Sequence, residues 1–171
     1  MDVYRQLENI PKLSDSVVTI GTFDGCHRGH QEIIKKMISV AESHGTKSVL
    51  ITFDPHPRHV LESGEKLPLL LHTDKKMEIL DSCHVDIVVV IPFTIEFSHL
   101  TADDFINKIV VKNFNPSYIV IGYDHHFGFE REGSPQFLKD FGKNNGVSVD
   151  IVEPISDNKV TISSTNIRKL V

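Results

Sequence analysis

Val17-Val18-Thr19-Ile20-Gly21-Thr22-Phe23-Asp24-Gly25-Cys26-His27-Arg28-Gly29-His30 joins an apolar strand to a helix through a glycine-rich turn. The β-branched residues at its start favour a strand, and Gly21 ends that strand. Residues 31–43 then repeat apolar side chains at helical spacing, and Gly45 ends the helix. A strand followed at once by a helix is typical of a βα unit.

The same alternation continues along the rest of the chain. Strands are predicted at 48–53, 87–91, 118–121 and 147–152. Helices are predicted at 73–82 with Thr73 as the cap, from 101 to about 111, at 136–143, and from near Ser164. Because the strands are apolar throughout, we expect an α/β fold with a parallel sheet covered on both faces. Ligands bind such sheets beyond the carboxyl ends of the strands.

Composition excludes several classes of protein. The 171 residues fit one domain, and 40% hydrophobic with 24% charged residues is typical of a soluble globular protein. The net charge of -5 does not favour nucleic-acid binding, because phosphate backbones are bound by clustered Lys and Arg. No signal pattern and no apolar run of about 20 residues are found, so we expect no membrane contact and a cytoplasmic protein. Cys26 and Cys83 are expected to be free thiols.

The turn between the first strand and helix has the character of an anion site. Gly21 and Gly25 allow backbone to approach a ligand closely, and His27 and His30, three residues apart, share a face at the helix start. The spacing matches neither a Walker A loop nor G-x-G-x-x-G, and a zinc site would need a third ligand that is not evident. Two such histidines on an ordinary helix are surface residues, but their place after a glycine-rich strand end favours phosphate binding.

This turn resembles the H-x-G-H motif of the nucleotidyltransferase superfamily, and residues 21–31 are most similar to bacterial FAD synthetases. The resemblance implies a Rossmann-like, doubly wound parallel sheet. It also implies that His27 and His30 are catalytic, contacting the ATP phosphates and stabilising the transition state. The implied ATP site further includes Gly21, Thr22, Phe23 and Gly25.

Two strand exits resemble the flavin-binding segments of that family. The first, residues 53–57, resembles its F-D-P-H-P segment, and the second, residues 92–97, resembles P-F-T-x-x-F. Taken alone, the first is a rigid, extended strand exit and the second is edge packing. The resemblance implies that the flavin contacts Phe53, Asp54, Pro55, Pro57 and Phe93.

A third strand exit, residues 122–128, resembles the family's G-x-D/N-x-x-F-G segment. The resemblance places Asp124 at the ATP side and Phe127 at the flavin side, although edge packing is again the plain alternative. His125-His126 stands where Phe-Arg is common in the family, so one anion contact is in doubt. A metal site at these two histidines is a minor alternative.

The segment Ile162-Ser163-Ser164-Thr165-Asn166-Ile167-Arg168 contains three hydroxyl residues at a predicted helix start. Alone it is an ordinary helix cap. Together with the H-x-G-H turn it resembles the family motif I-S-S-T-x-I-R. The resemblance implies that Ser163, Ser164, Thr165 and Arg168 hold the β- and γ-phosphates of ATP.

The implied reaction is attack of the FMN phosphate on the α-phosphorus of ATP, which gives FAD and pyrophosphate. ATP and FMN are the expected substrates and Mg²⁺ accompanies ATP, with no protein ligand assigned to it. Residues 1–171 are expected to be an FMN adenylyltransferase domain without the riboflavin kinase domain that usually follows, either excised or naturally monofunctional. The alternatives are a cytidylyltransferase on the same fold and a non-catalytic flavin- or nucleotide-binding module.

Overall fold

A six-stranded parallel sheet lies at the centre of the molecule, which a computed structural model describes for residues 1–62, 68–157 and 160–170. Its strands are β1 (Asp2–Tyr4), β2 (Ser16–Ile20), β3 (Lys47–Asp54), β4 (Ile87–Pro92), β5 (Pro116–Gly122) and β6 (Ser148–Val152). The spatial order is β1-β4-β3-β2-β5-β6, and every neighbouring pair is parallel.

Helices connect these strands. They are α1 (Arg28–His44), α2 (Pro57–Leu61), α3 (Thr73–Ser82), α4 (Ile95–Ser98), α5 (Ala102–Asp104), α6 (Lys112–Phe114), α7 (Pro135–Asn145) and α8 (Ser164–Arg168). A π-helical stretch, Phe105–Val111, joins α5 to α6. Helix α1 ends at Gly45, whose φ of 63° is a left-handed conformation that glycine adopts without steric cost.

Alternate side chains of the strands pack into two apolar cores, one on each face of the sheet. Val18 of β2 packs in the same core as Ile106 of the π-helical stretch. Val17 points to the other face, into the core that contains Met37 of α1 and Leu80 of α3. Helices therefore cover both faces, and the predicted α/β fold with a doubly wound parallel sheet is confirmed.

The direction of winding reverses beside β2. The chain moves outward from β2 through β3 to β4, and then returns to β5 on the other side of β2. A crevice opens at such a reversal, at the carboxyl ends of the strands. Because Gly21 follows β2 and Gly122 ends β5, the first turn and the third predicted strand exit both lie at this crevice.

Two local predictions were wrong for reasons that involve neighbouring residues. The N-cap of α3 is His72, whereas the hydroxyl of Thr73 donates to a carboxylate oxygen of Asp54 at 3.3 Å. Pro57 does not lie in an extended loop but is the first residue of α2. Proline fits there because the first helical residue needs no N–H partner within the helix.

The helix predicted to end near residue 111 continues to Phe114 through the π-helical stretch. It ends at Asn115, whose φ of 45° is left-handed. Several short elements were not predicted at all, because they have too few residues to show a period. They are β1, α2, α4, two 3-10 helices (Leu7–Asn9 and Phe129–Arg131) and the hairpin of β7 (Ser156–Asp157) with β8 (Val160–Thr161).

Candidate active site

A cleft of about 900 Å³ lies at the carboxyl ends of the central strands. The first turn and α8 form one part of its wall, and aromatic side chains that follow β3, β4 and β5 form another. All residues predicted for the site line this cleft except Gly25, Asp54 and Pro55. The residues that the structure brings together are Gly21, Thr22, Phe23, His27, His30, Phe53, Pro57, Phe93, Asp124, Phe127, Ser163, Ser164, Thr165 and Arg168.

The three predicted residues outside the lining have other neighbours. A side chain at Gly25, where φ is 82°, would meet Leu70 at 3.0 Å. Asp54 accepts the hydrogen bond of Thr73 and lies 4.0 Å from Arg5. Pro55 follows Asp54 through a cis peptide bond. Their ligand contacts stay predictions, and the structure shows only that these three residues lie beside the lining of the cleft.

His27 and His30 form a stacked pair at the start of α1. Their ring centroids are 3.7 Å apart with 19° between the planes. His27 is the N-cap, and its Nδ1 accepts the backbone N–H of His30 at 3.4 Å. A neutral His27 must therefore carry its proton on Nε2, which leaves that atom as a donor.

Burial keeps both rings of the pair uncharged. It lowers the pKa of His27, against the charges of Asp124 and Asp24. It lowers the pKa of His30 to about 3, and the charges of His27 and Lys76 add to this effect. The pair is therefore neutral near pH 7 and acts through N–H donors rather than through positive charge.

Phe23 supports this pair from the protein interior. Its ring is 2% exposed and meets the ring of His30 edge-on, at a centroid distance of 5.2 Å. Phe23 and Cys26 have φ of 49° and 39°, a left-handed conformation that is uncommon for residues with side chains. Such backbone is concentrated at functional turns.

A buried carboxylate attaches α8 to the first turn. The carboxylate of Asp24, a residue 3% exposed, accepts the backbone N–H groups of Leu70 and Leu71 and pairs with the Arg168 guanidinium. The hydroxyl of Ser164 donates to the Asp24 carbonyl at 2.7 Å. We call this set the Asp24 clasp, which consists of Asp24, Leu70, Leu71, Ser164 and Arg168.

The clasp changes the interpretation of the C-terminal motif. Arg168 was predicted to hold phosphates, but its guanidinium pairs with Asp24 and its Nε donates to the Pro68 carbonyl at 2.9 Å. Ser163 is the N-cap of α8 and accepts the N–H of Asn166 at 3.2 Å. Ser163, Ser164, Thr165 and Arg168 all line the cleft, so their contact with phosphates stays a prediction, and Arg168 in addition attaches α8 to Asp24.

Aromatic rings follow β3 and β4. Phe53 lies 5.8 Å from Phe93, 5.9 Å from Phe97 and 6.4 Å from Phe105, measured between ring centroids. Phe105 also lies 5.5 Å from Phe127. This cluster of rings lines one part of the cleft, and aromatic side chains of this kind are common in the walls of ligand pockets.

Asp124 and the two histidines after it line the cleft beside Phe127. The ring of His125 stacks on Phe127 at 5.6 Å, and burial lowers its pKa to about 4. His126 bonds the Asp124 carbonyl at 3.0 Å. Within the described ranges, no three His, Cys, Asp or Glu side chains are grouped so that they could hold a metal ion.

Comparison with known proteins shows the family to which the chain belongs. The family model described as FAD synthetase matches residues 9–166. The chain belongs to the FAD synthetase family. A relative from Buchnera aphidicola subsp. Schizaphis graminum, a bifunctional riboflavin kinase/FMN adenylyltransferase, is 36% identical over 99% of this chain and 55% of its own length.

A further relative and two solved structures are similar to the chain over nearly its whole length. The bifunctional riboflavin kinase/FMN adenylyltransferase of Escherichia coli K12 is 29% identical over 99% of this chain and 55% of its own length. A Streptococcus pneumoniae structure described as a macrolide-efflux protein is 31% identical, with a TM-score of 0.86. The match covers 99% of this chain and 55% of that chain. Pantothenate synthetase from Thermus thermophilus has a TM-score of 0.63 at 13% identity over 98% of this chain and 67% of that chain, which shows a shared fold.

The FAD synthetase chain spans about 55% of the length of the relatives named above. Among its described helices, none is long and apolar enough to cross a membrane.

Several residues at this FAD synthetase cleft were not predicted from the sequence. Phe97 ends the P-F-T-x-x-F segment and its ring lies 5.6 Å from that of Phe93, so the signal was present. Phe105 and Arg58 also line the cleft, but their segments show no motif that separates them from core and surface residues. Lys76 of α3 lies behind the first turn. It was not predicted because the sequence of α3 has the pattern of an ordinary amphipathic helix.

Proposed function

We propose that this chain transfers AMP from ATP to FMN and releases pyrophosphate. The observation that carries the proposal is that one cleft joins the stacked His27–His30 pair and the hydroxyls of α8 to a surface of phenylalanine rings. Groups that can donate hydrogen bonds to phosphate lie at one part of the cleft, and apolar rings lie at another. This arrangement suits a nucleotide and a flavin. Family membership supports the same reaction.

The proposed chemistry needs no protein nucleophile. FMN supplies the attacking phosphate oxygen, and the cleft holds it in line with the α-phosphorus of ATP. His27 donates from Nε2, since its Nδ1 is occupied by the backbone N–H of His30. Donors fixed in this way stabilise the negative charge that develops on the phosphate oxygens in the transition state.

We propose that Mg²⁺ enters as part of the ATP substrate, because this ion binds phosphate oxygens and needs few protein ligands. Asp124, an exposed residue that lines the cleft, is the side chain that we propose for the ribose side of ATP. The relatives combine riboflavin kinase with FMN adenylyltransferase in their names, so we propose that a kinase activity supplies FMN. The free thiols of Cys26 and Cys83 suit the reducing cytoplasm.

Incubation of the chain with ATP, Mg²⁺ and FMN, followed by chromatography for FAD and a coupled assay for pyrophosphate, tests the proposal. We expect the two products in equal amounts. Replacement of ATP by CTP tests for a cytidylyltransferase, and we expect neither a flavin cytidine dinucleotide nor pyrophosphate. Replacement of FMN by riboflavin, with ATP present, tests for kinase activity in the same 171 residues, and we expect neither FMN nor FAD. Binding of FMN and ATP without any product would show a binding module and refute the proposal.

A further inference from the structure

Lys76 of α3 places an ammonium group inside the protein, behind the first turn. The residue is 6% exposed, and its Nζ donates to the Thr22 carbonyl at 3.0 Å and to the Thr52 hydroxyl at 3.2 Å. Thr52 donates to the same carbonyl at 3.1 Å. Both partners are uncharged, and among the residues that the structure describes no carboxylate forms an ion pair with Lys76.

A buried ammonium without a carboxylate partner is unfavourable, because two neutral hydrogen bonds do not replace its hydration. Burial lowers the pKa of Lys76, while Cys26, Asp24 and Asp54 act in the opposite direction. Both carboxylates are already engaged. Asp24 pairs with Arg168, and Asp54 accepts from Thr73. Within the described residues Lys76 therefore has no ion-pair partner of its own, and an anion bound nearby would balance its charge.

The cleft lies where such an anion would come closest. Thr22, whose carbonyl accepts from Lys76, lines the cleft between the end of β2 and the histidine pair. The charge of Lys76 already contributes to lowering the pKa of His30. Charges act over longer distances through the protein interior than through water, so the field of Lys76 reaches the surface at which phosphates are expected.

We propose that Lys76 is a positioning residue whose buried charge attracts the phosphates of ATP through the first turn, and whose hydrogen bond to Thr22 holds that turn in place. Lys76 touches no substrate itself, because Thr22 lies between it and the cleft. That the anion is the phosphate group of ATP rests on the proposed function. The buried charge of Lys76 and its position behind the first turn do not depend on that function.

The variant Lys76→Met removes both the charge and the hydrogen bond to Thr22 at similar side-chain length, while the Thr52 hydroxyl can still donate to the Thr22 carbonyl. Lys75→Met is the matched control, because Lys75 is the exposed neighbour on α3 and pairs with Glu78. Calorimetry with ATP and Mg²⁺ is expected to show about tenfold weaker binding for Lys76→Met, a change of the size that loss of one nearby charge in a partly buried site produces. Lys75→Met should bind ATP as the unmodified chain does.

Two further measurements separate the charge from a merely structural effect. Riboflavin has no phosphate, so its fluorescence quenching should be unchanged in Lys76→Met. Lys76→Gln keeps a donor for Thr22 without the charge, and it should weaken ATP binding as Lys76→Met does.

The proposal is overturned if Lys76→Met binds ATP within twofold of the unmodified chain, or if Lys76→Gln restores binding. Equal losses for ATP and riboflavin would also overturn it, since they indicate a distorted cleft. An unmodified chain that binds ATP but forms no FAD would refute the proposed function alone.

Discussion

His27 and His30 have different tasks although their rings are stacked. His27 uses Nδ1 to cap α1, which fixes its proton on Nε2. His30 is packed against Phe23, and its Nδ1 is buried without a hydrogen-bond partner among the described residues. A buried polar atom without a partner is uncommon in folded proteins, which marks His30 as a residue to test.

The first prediction concerns His30→Ala. We expect kcat to fall by about 10²- to 10³-fold, as for loss of one donor to a transition-state oxyanion. FMN binding should change little, because the aromatic group is left intact. Steady-state kinetics and flavin fluorescence measure the two effects, with His44→Ala at the far end of α1 as the control. An unchanged kcat would exclude the assigned role.

The second prediction concerns Gly29, which lies between the two histidines. A methyl group there would approach Cε1 and Nδ1 of His27 at 3.2 Å, so Gly29→Ala should displace that ring. We expect kcat to fall by about 10- to 100-fold, as small misplacements of catalytic groups do. The thermal midpoint should not fall, because alanine favours a helix more than glycine does.

Gly45→Ala is the complementary control for Gly29→Ala. Nothing lies within 4 Å of the added methyl group, but φ of 63° is unfavourable for alanine. This variant should lose about 1 kcal/mol of stability and keep its kcat. If Gly29→Ala instead loses stability and activity together, the displacement of His27 is not the cause.

At the scale of elements, the Asp24 clasp determines where α8 lies. Helix α8 has five residues, too few to be stable alone. Its position depends on Ser164 and Arg168, which bond the carbonyl and the carboxylate of Asp24. The C-terminal motif is therefore attached to the N-terminal motif by a buried ion pair, which also orders the backbone at Leu70 and Leu71.

The third prediction is that Asp24→Asn lowers the free energy of unfolding by about 3 kcal/mol, because Arg168 would remain buried without its counter-charge. Urea unfolding measures the change. The double variant Asp24→Asn with Arg168→Met should lose less than the sum of the two single variants, since it leaves no unpaired charge. Additive losses would show that the two residues act independently.

At the scale of the whole molecule, folding keeps several histidines neutral. Burial lowers the pKa of His30 to about 3 and those of His56 and His125 to about 4. In the unfolded chain a histidine has a pKa of about 6.5. Below that value the unfolded state binds protons that the native state does not, so acid favours unfolding.

The fourth prediction follows from these values. The free energy of unfolding should fall as the pH drops from about 6.5 towards about 4, with a slope of up to about 1.4 kcal/mol per pH unit for each of the three histidines. Urea unfolding at pH 7.5, 6.5 and 5.5 measures this slope. These pH values lie above the range in which most carboxylates titrate. The variants His56→Gln and His125→Gln should each reduce the slope. A slope that neither variant changes would assign the pH dependence to other groups.

The local sequence determined the fold class and the family. β-Branched runs that end in glycine and helical apolar spacing are short-range signals, and they sufficed for five of the six sheet strands and for α1, α3 and α7. The H-x-G-H turn and Ile162 to Arg168 are short motifs, so their residue types identified the family before any contact was known.

Only the tertiary structure decided which of these residues meet and which partners they take. Asp24 and Arg168 are separated by 144 positions, yet they form one buried ion pair. Lys76 reads as part of an ordinary helix, but it packs behind Thr22, while Gly25 and Asp54 lie outside the cleft although they belong to its motifs. Burial and charge compensation depend on residues that are distant along the chain, and for that reason no local pattern in the sequence contains them.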